Sequence, residues 1–406
     1  MKALVLCGGM PQIALMEDLK SRGITVVLAD MNEKAAGRPY ADIFYPVSTL
    51  DVEGIKQVAV KEKVDFLITV CADQVLQVVA EISEALGLPC YIDFETAKNV
   101  SKKSYMKRIF VENGIPTSKH VILDRLDFEK IQHLNYPLIV KPVDAYSSRG
   151  VKRVDEPQEL PAAFEDAVTI SRTNTAVVEE FVTGDELSAD IYIEEGVAHL
   201  LCVCKLDKIG DNGRFVIHRG TYPAAVSEKI YDQIRDTAQR IAESFGLVNT
   251  PMLIQMITDG ERISVVEFCA RTGGGVKFRL IKRATGFDVV KAVADLTLGK
   301  HPHVEPTKKK QKYIINEFLY CKPGVFDHLE GFEELLNEGI IAEYSQLKVK
   351  GFNFGEVKSS GDRVACFTIE TEDAQTTSKY HKLACQRIRA VDIHGQDMLR
   401  RDLFEK

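Results

Sequence analysis

Hydrophobic and polar positions along the first part of the chain follow two alternating spacings. Largely apolar runs at 2–6, 24–29 and 64–70 read as buried strands, while apolar residues three and four apart at 13–21, 55–62 and 75–86 read as amphipathic helices. Glycines at 8, 9, 23 and 87 punctuate them. This βαβ alternation predicts an open parallel sheet over residues 1–95, with a further short strand near Cys90 and ligand sites at the strand C-termini. The candidates there are Gly8, Gly9 and Asp30. CGGMPQ lacks the GxGxxG spacing of a nicotinamide site, which disfavours a dehydrogenase.

From residue 96 the pattern becomes mixed. A basic helix at 101–113, SKKSYMKRIFVEN, stops at Gly114 and Pro116. A strand ending at Lys141 runs into AYSSRG, a helix spans 156–168, and a strand closes on EEFV at 179–182. A strand at 197–205 precedes a polar loop at 207–214, and helix 228–245 carries Ile230, Ile234, Ile241 and Phe245 on one face. The stretch PMLIQMITDGERISVVEFCARTGGG predicts a hairpin, strands 252–257 and 263–268 joined at Asp259-Gly260, and a helical region then runs to 300. After a polar joint at 299–312, strands at 313–320, 344–348 and 363–370 and helices at 332–337 and 373–388 predict a smaller C-terminal α+β cap over 301–406. Its sequence offers no chemistry beyond scattered acids.

Composition narrows the classes. The chain has 406 residues, 45% hydrophobic and 27% charged, as expected of a soluble protein of two to four compact units. The formal charge of −7 argues against broad nucleic-acid binding. No apolar run approaches the roughly 20 residues of a membrane span. The opening MKALVLCGG reads as a first strand and not a leader. Nine cysteines without a CxxC, with Cys202 and Cys204 on one strand face, read as core thiols in a reducing cytoplasm. A homodimer is the base-rate expectation.

The organising candidate is Glu267, a carboxylate at the end of the apolar run ISVV, followed by Arg271 and by Gly273, Gly274 and Gly275. Such a set suits a Mg2+-polyphosphate site; the alternative is an edge-strand glutamate beside an ordinary glycine loop. Lys141 leads into a small-residue loop, Ser147, Ser148 and Gly150, whose N–H groups suit phosphate oxygens, or is a basic strand end before a surface turn. Lys103 stands either on a solvated helix face or against phosphate. Phe181 and Val182 offer extended backbone and an apolar wall suited to adenine, and Glu186 a carboxylate suited to ribose hydroxyls; paired glutamates at a strand end are otherwise common.

Laid end to end, Lys103, Lys141, AYSSRG, EEFVTGDE and VVEFCAR resemble the ATP-grasp superfamily, whose two α+β subdomains hold ATP between them and ligate a carboxylate to an amine. The resemblance covers most of residues 1–300. It implies a pre-ATP-grasp Rossmann-like domain at 1–95 and an ATP-grasp module at 96–300, whose ATP-binding subdomain runs to about 183. It implies phosphate contacts from Lys103 and Lys141 under the loop of Ser147, Ser148 and Gly150, adenine contacts from Glu179, Phe181 and Val182, and ribose on Glu186. Metal ligands would be Gln255 and Glu267, for Mg2+ or Mn2+. Cys269 stands where the superfamily has an Asn, and a thiol suits a hard cation poorly. A plain two-residue turn at Asp259-Gly260 would set Gln255 opposite Ser264, whereas a three-residue loop with Gly260 left-handed would bring Gln255 and Glu267 to one face. HRGTYPA and INEFLYCKPGVFDHLEG resemble the L-amino-acid (dipeptide) ligase branch, with the carbamoyl-phosphate-synthetase branch as precedent for Gln255. This implies His218 and Arg219 near the acceptor, residues 273–275 around the reacting carboxylate, and Arg271 and Lys141 in catalysis, the substrates being a small-molecule carboxylate and an amine. The alternatives are a purine-type ligase resembling the phosphoribosylamine-glycine enzymes and a nucleotide-binding protein without catalysis.

Overall fold

Strands β1 (Lys2–Leu6), β2 (Thr25–Ala29), β3 (Ile43–Tyr45) and β4 (Phe66–Ile68) pair in parallel in the order β3-β2-β1-β4, with α1 (Met10–Ser21), α2 (Val52–Glu62) and α3 (Asp73–Leu86) among them. Leu4, Val5 and Leu6 are fully buried, as a strand covered on both faces requires. The computed structural model describes residues 1–145, 149–210, 215–305 and 311–404. No strand forms near Cys90, because Pro89 has no N–H to give a ladder and the chain turns at once toward α4 (Phe94–Val100). Gly8 and Asp30 meet, but as structure: the Gly8 N–H donates to Asp30 Oδ2 at 2.8 Å, and the Gly37 N–H donates to the Gly8 carbonyl at 2.8 Å. The segment carrying Ala35 and Gly37 thus closes over the crevice that a nucleotide would need.

Helix α5 (Lys103–Glu112) leads to a second sheet, antiparallel in the order β5-β8-β6-β7: β5 (His120–Leu123), β6 (Leu138–Pro142), β7 (Lys152–Val154) and β8 (Ala176–Glu180). Helix α6 (Phe128–Ile131) lies beside it, and α7 (Leu160–Ile170) lays Leu160, Ala163, Phe164 and Ala167 on Leu138, Val140 and Val178.

The largest sheet is antiparallel and eight-stranded. It contains β9 (Asp185–Glu194), β10 (Val197–Ile209), β11 (Val216–Tyr222), β12 (Thr250–Thr258), β13 (Ile263–Cys269) and β14 (Tyr313–Tyr320). Beyond β14 come β15 (Gly324–Glu330), β16 (Glu343–Gln346), β17 (Asn353–Phe354), β18 (Arg363–Thr371) and β19 (Arg389–Asp392). The order is β13-β12-β9-β10-β11-β14-β18-β16, so three strands from the C-terminal segment continue the sheet through the β11–β14 seam; β17, β15 and β19 form a small sheet of their own. Helix α8 (Glu228–Ser244) buries Ile230, Ile234 and Ile241 completely, about 1.5–3 kcal/mol for each aliphatic side chain. Helices α9 (Lys277–Thr285) and α10 (Val289–Thr297) pack toward the first sheet, and α11 (Phe332–Asn337) and α12 (Ala374–Arg387) cover the C-terminal strands. The architecture is the one expected of an ATP-grasp chain. Among the described residues no helix is long and apolar enough to cross a membrane, and all nine cysteines are unpaired.

The seam holds a buried charge cluster. Glu317, on β14, accepts from Arg219 Nε at 2.6 Å and meets His381 Nε2 at 2.9 Å and His218 Nδ1 at 3.3 Å. Burial works against its charge, but His218, His381 and Arg219 together hold the carboxyl down to about 2 from 4.5. A depressed acid stabilises the fold above its unfolded pKa and loses that contribution as pH falls through the folded one. Acid titration followed by circular dichroism should show stability falling between pH 4.5 and about 2, and Glu317→Gln should be less stable at neutral pH with a flatter profile across that window.

Candidate functional site

Two clefts meet at one hairpin. In β12–β13 the pairing is Thr258↔Ile263, Ile257↔Ser264 and Met256↔Val265, then shifts by one so that Gln255 lies directly opposite Glu267. Neither turn considered from the sequence is the one adopted. Four residues, 259–262, connect the strands, with Gly260 at φ +93°, and the bulge beyond them places Gln255 and Glu267 on one face. Glu267 Oε2 is 3.5 Å from Lys103 Nζ, which also donates to the Ala145 carbonyl at 2.7 Å.

The first cleft lies between the two antiparallel sheets. Its walls include Lys103, Lys141, Arg149, Glu179, Phe181, Val182, Glu186 and Lys208, with Gln255 and Glu267 at its end. Lys141 and Glu179 come from adjacent strands β6 and β8, and their side chains pair at 2.5 Å. Glu179 Oε2 also meets Lys107 Nζ at 2.8 Å and accepts from Ser118 Oγ at 2.8 Å. Burial raises the cost of this charge, yet Lys141 and Lys107 outweigh it and hold Glu179 well below the usual carboxylate range. Lys107 itself is pushed down by burial despite its partner. Glu179 is therefore the clasp between two lysines as well as a wall residue. Phe181 and Val182 form the linker between the sheets. Gly184 ends that linker where a Cβ would sit 2.1 Å from the Thr258 carbonyl oxygen, so the return into β9 passes against β12 only as glycine. Burial raises the Glu186 carboxyl, opposed by its ion pair with Lys208.

The second cleft opens on the other side of the same pair. Gln255 and Glu267 line it with Ser188, Cys204, Arg271, Lys277 and the loop of Gly273, Gly274 and Gly275. Arg271 is held from a distant part of the chain: its Nε donates to Asp73 Oδ1 at 2.6 Å, Nη2 to Asp73 Oδ2, and Nη1 to the Thr272 carbonyl at 2.7 Å. Asp73 is the first residue of α3, where the helix dipole favours a carboxylate, and Arg271 outweighs burial to keep it ionised. The Cys269 thiol turns to Asp73, and burial raises it well above its ordinary value. Lys277 sits 3.0 Å from Asp190.

Residues 134–279 match the model of the ATP-grasp domain. That segment carries an ATP-grasp domain. The large chain of carbamoyl phosphate synthase from Thermotoga neapolitana is 23% identical over 303 residues, 70% of this chain, and this chain spans 27% of that protein's length. The structure of L-amino acid ligase from Bacillus licheniformis superposes with a TM-score of 0.82 at 20% identity, covering 96% of this chain and 98% of that one. Phosphoribosylglycinamide synthetase from Anaerococcus prevotii gives 0.77 at 17%, covering 96% and 99%. At such identities the structural likeness is one of fold.

Within this ATP-grasp fold, the candidates from the sequence distribute unevenly. Lys103, Lys141, Glu179, Phe181, Val182, Glu186, Gln255 and Glu267 converge on the first cleft, and Arg271 with Gly273, Gly274 and Gly275 on the second. Ser147 and Ser148 lie outside the described residues. Gly150 packs back on Pro142 and Ile170, and its neighbour Arg149 is the residue that reaches the cleft. His218 and Arg219 line neither described cleft: Ile217, Gly220 and Asn316 face the second, while His218 and Arg219 turn to Glu317 and Arg219 also donates to the Leu403 carbonyl. Four residues in or behind these clefts escaped the sequence reading. Lys107 follows Lys103 by one helical turn, a spacing that marked a shared face. Lys208 lay in what reads as a polar loop but is strand, since β10 runs to Ile209. Asp73 and the C-terminal Arg363 had no local signal.

Proposed function

We propose that the chain is a Mg2+-ATP-dependent ligase that joins a carboxylate to an amine, with amino acids as the substrate class. The observation that supports this reading is the Gln255–Glu267 pair standing between a cation-lined cleft and a glycine-lined one. The residues present suit both groups. Lys103, Lys141, Arg149 and Lys208 balance a polyphosphate, and Phe181 and Val182 give an apolar wall for a base. One amide and one carboxylate suit Mg2+, which keeps waters and phosphate oxygens in its shell. Among the described residues no group of three or more His, Cys, Asp or Glu forms an all-protein cage.

ATP supplies the phosphoryl group that activates the carboxylate, and Mg2+ offsets the charge that gathers on the phosphate oxygens. The protein's part is positioning and electrostatics. Lys141, locked by Glu179, and Lys103, locked by the Ala145 carbonyl, present fixed ammonium charges. Gln255 and Glu267 are the residues that would hold the metal. The loop of residues 273–275 brings backbone close to the reacting carboxylate, and Arg271, oriented by Asp73, sets the local field. The amine nitrogen then attacks the activated carbonyl carbon, the C–O pair leaves with phosphate, and the amine's proton passes to solvent.

ADP release with Mg2+-ATP, measured over single amino acids, amino-acid pairs and small carboxylates, tests the reading. ADP formed only with a pair, alongside a new amide by mass, is the expected result. Silence with pairs and turnover with phosphoribosylamine and glycine would replace it by the purine-type reading, which the fold likeness to phosphoribosylglycinamide synthetase favours. In the active system Arg271→Ala should lower turnover about 100-fold while nucleotide affinity moves by less than about threefold. Equal losses in both would remove Arg271 from the chemistry.

A further inference from the structure

Three cations line the second cleft, Arg271, Lys277 and Arg363. Two already have acids. Arg271 spends Nε and Nη2 on Asp73 and Nη1 on the Thr272 carbonyl, and Lys277 faces Asp190 at 3.0 Å. Arg363, at the start of β18, is different. Its Nε donates to the Tyr320 hydroxyl at 2.9 Å, its Nη2 to the Ile217 carbonyl at 3.2 Å, and its guanidinium carbon stacks 3.8 Å above the centre of the Phe318 ring. All three partners are neutral. Among the described residues Arg363 has no ion pair with a carboxylate, and its Nη1, without a hydrogen-bond acceptor there, is 3.6 Å from the position a Cβ at Gly275 would take.

A guanidinium fixed on one edge, stacked on its face and lacking a counter-charge is preorganised for an anion. Its immobilisation is complete before any ligand arrives, so a bound oxyanion pays little ordering cost on the protein side. Nearby, Asn316 accepts from Thr368 Oγ1 at 2.9 Å through Oδ1, which leaves its amide N–H groups as donors on the same wall. The two acids lining the cleft do not compete: Asp73 is held by Arg271, and Glu267 faces Lys103.

We infer that Arg363 receives an oxyanion of the substrate other than the group that reacts, and thereby selects substrates carrying a second anionic group, a carboxylate or a phosphate. This rests on the second cleft being where the ligase substrates meet, and it makes Arg363 a specificity-determining residue.

Titration calorimetry on the full chain with succinate, inorganic phosphate and the neutral succinamide tests this without turnover, so it stays separable from any failure to release ADP. Wild type should bind succinate or phosphate in preference to succinamide, and whichever anion binds identifies the oxyanion. Arg363→Met should weaken that anion by about tenfold or more and leave succinamide within about twofold, while Arg363→Lys should recover part of the loss. Since Arg363 also ties Tyr320 to Ile217, thermal unfolding of each variant accompanies the titrations, and Phe318→Leu, which removes the stacking face but not the charge, should keep the preference for the anion. Equal anion affinity in wild type and Arg363→Met, or no anion binding to wild type up to about 10 mM, would overturn the inference.

Discussion

Glu179→Gln should destabilise the chain by about 3–5 kcal/mol, the cost typical of breaking a buried ion pair from one side. The substitution keeps the shape of the side chain and removes the charge that Lys107 and Lys141 share, both lysines being at least nine-tenths buried. Two ammonium groups would then face each other across a neutral amide. Denaturant unfolding followed by fluorescence measures the loss. Lys107→Met with Glu179→Gln should return part of it, because the double variant buries one charge fewer than Glu179→Gln alone. A loss below about 1 kcal/mol for Glu179→Gln would mean that water reaches the cluster and that the clasp is weak.

Glu267→Ala should lower turnover by about 100- to 1,000-fold, the scale on which preorganised charge acts in such sites. This carboxylate is shared by the two clefts, sits opposite Gln255 and carries an ion-pair contact to Lys103. The diagnostic is the Mg2+ dependence of ADP formation. If Glu267 holds the metal, the variant should need roughly tenfold more Mg2+ for half-maximal rate, with nucleotide affinity at saturating Mg2+ little changed. An unchanged Mg2+ requirement would leave Glu267 as a partner of Lys103 and no more.

Much of the fold was legible because its signals are local. The parallel sheet of residues 1–95 is written in double-sided apolar runs, and the stripe of Ile230, Ile234 and Ile241 on α8 marks a core helix by spacing alone. The first cleft was legible for a related reason: Lys141 and Glu179 end apolar strands, where a charge has to be explained. The second cleft was legible only in part: Arg271 and Gly273 to Gly275 stood out in the sequence, their distant neighbours did not. Asp73 reaches Arg271 across 198 positions of sequence and Arg363 meets the Ile217 carbonyl across 146, and nothing at either end announces the meeting. His218 and Arg219 show the opposite failure. Their positions on β11 gave no sign of which way a bulged strand would turn them, and the register shift beside Asp207 and Lys208 sends both toward Glu317.

The β11–β14 seam has a practical consequence for anyone dividing this chain. A fragment ending near residue 300 would look complete by its match to the domain model, yet it would leave β11 as a bare edge with open N–H and C=O groups on a strand whose residues are mostly buried. Such a fragment would invite strand addition by its own copies and should precipitate or form soluble oligomers on expression. It would also lack Asn316 and Arg363, and with them one wall of the second cleft. Fragments for crystallisation or screening should therefore retain the chain through β18, and fusion partners belong at the termini.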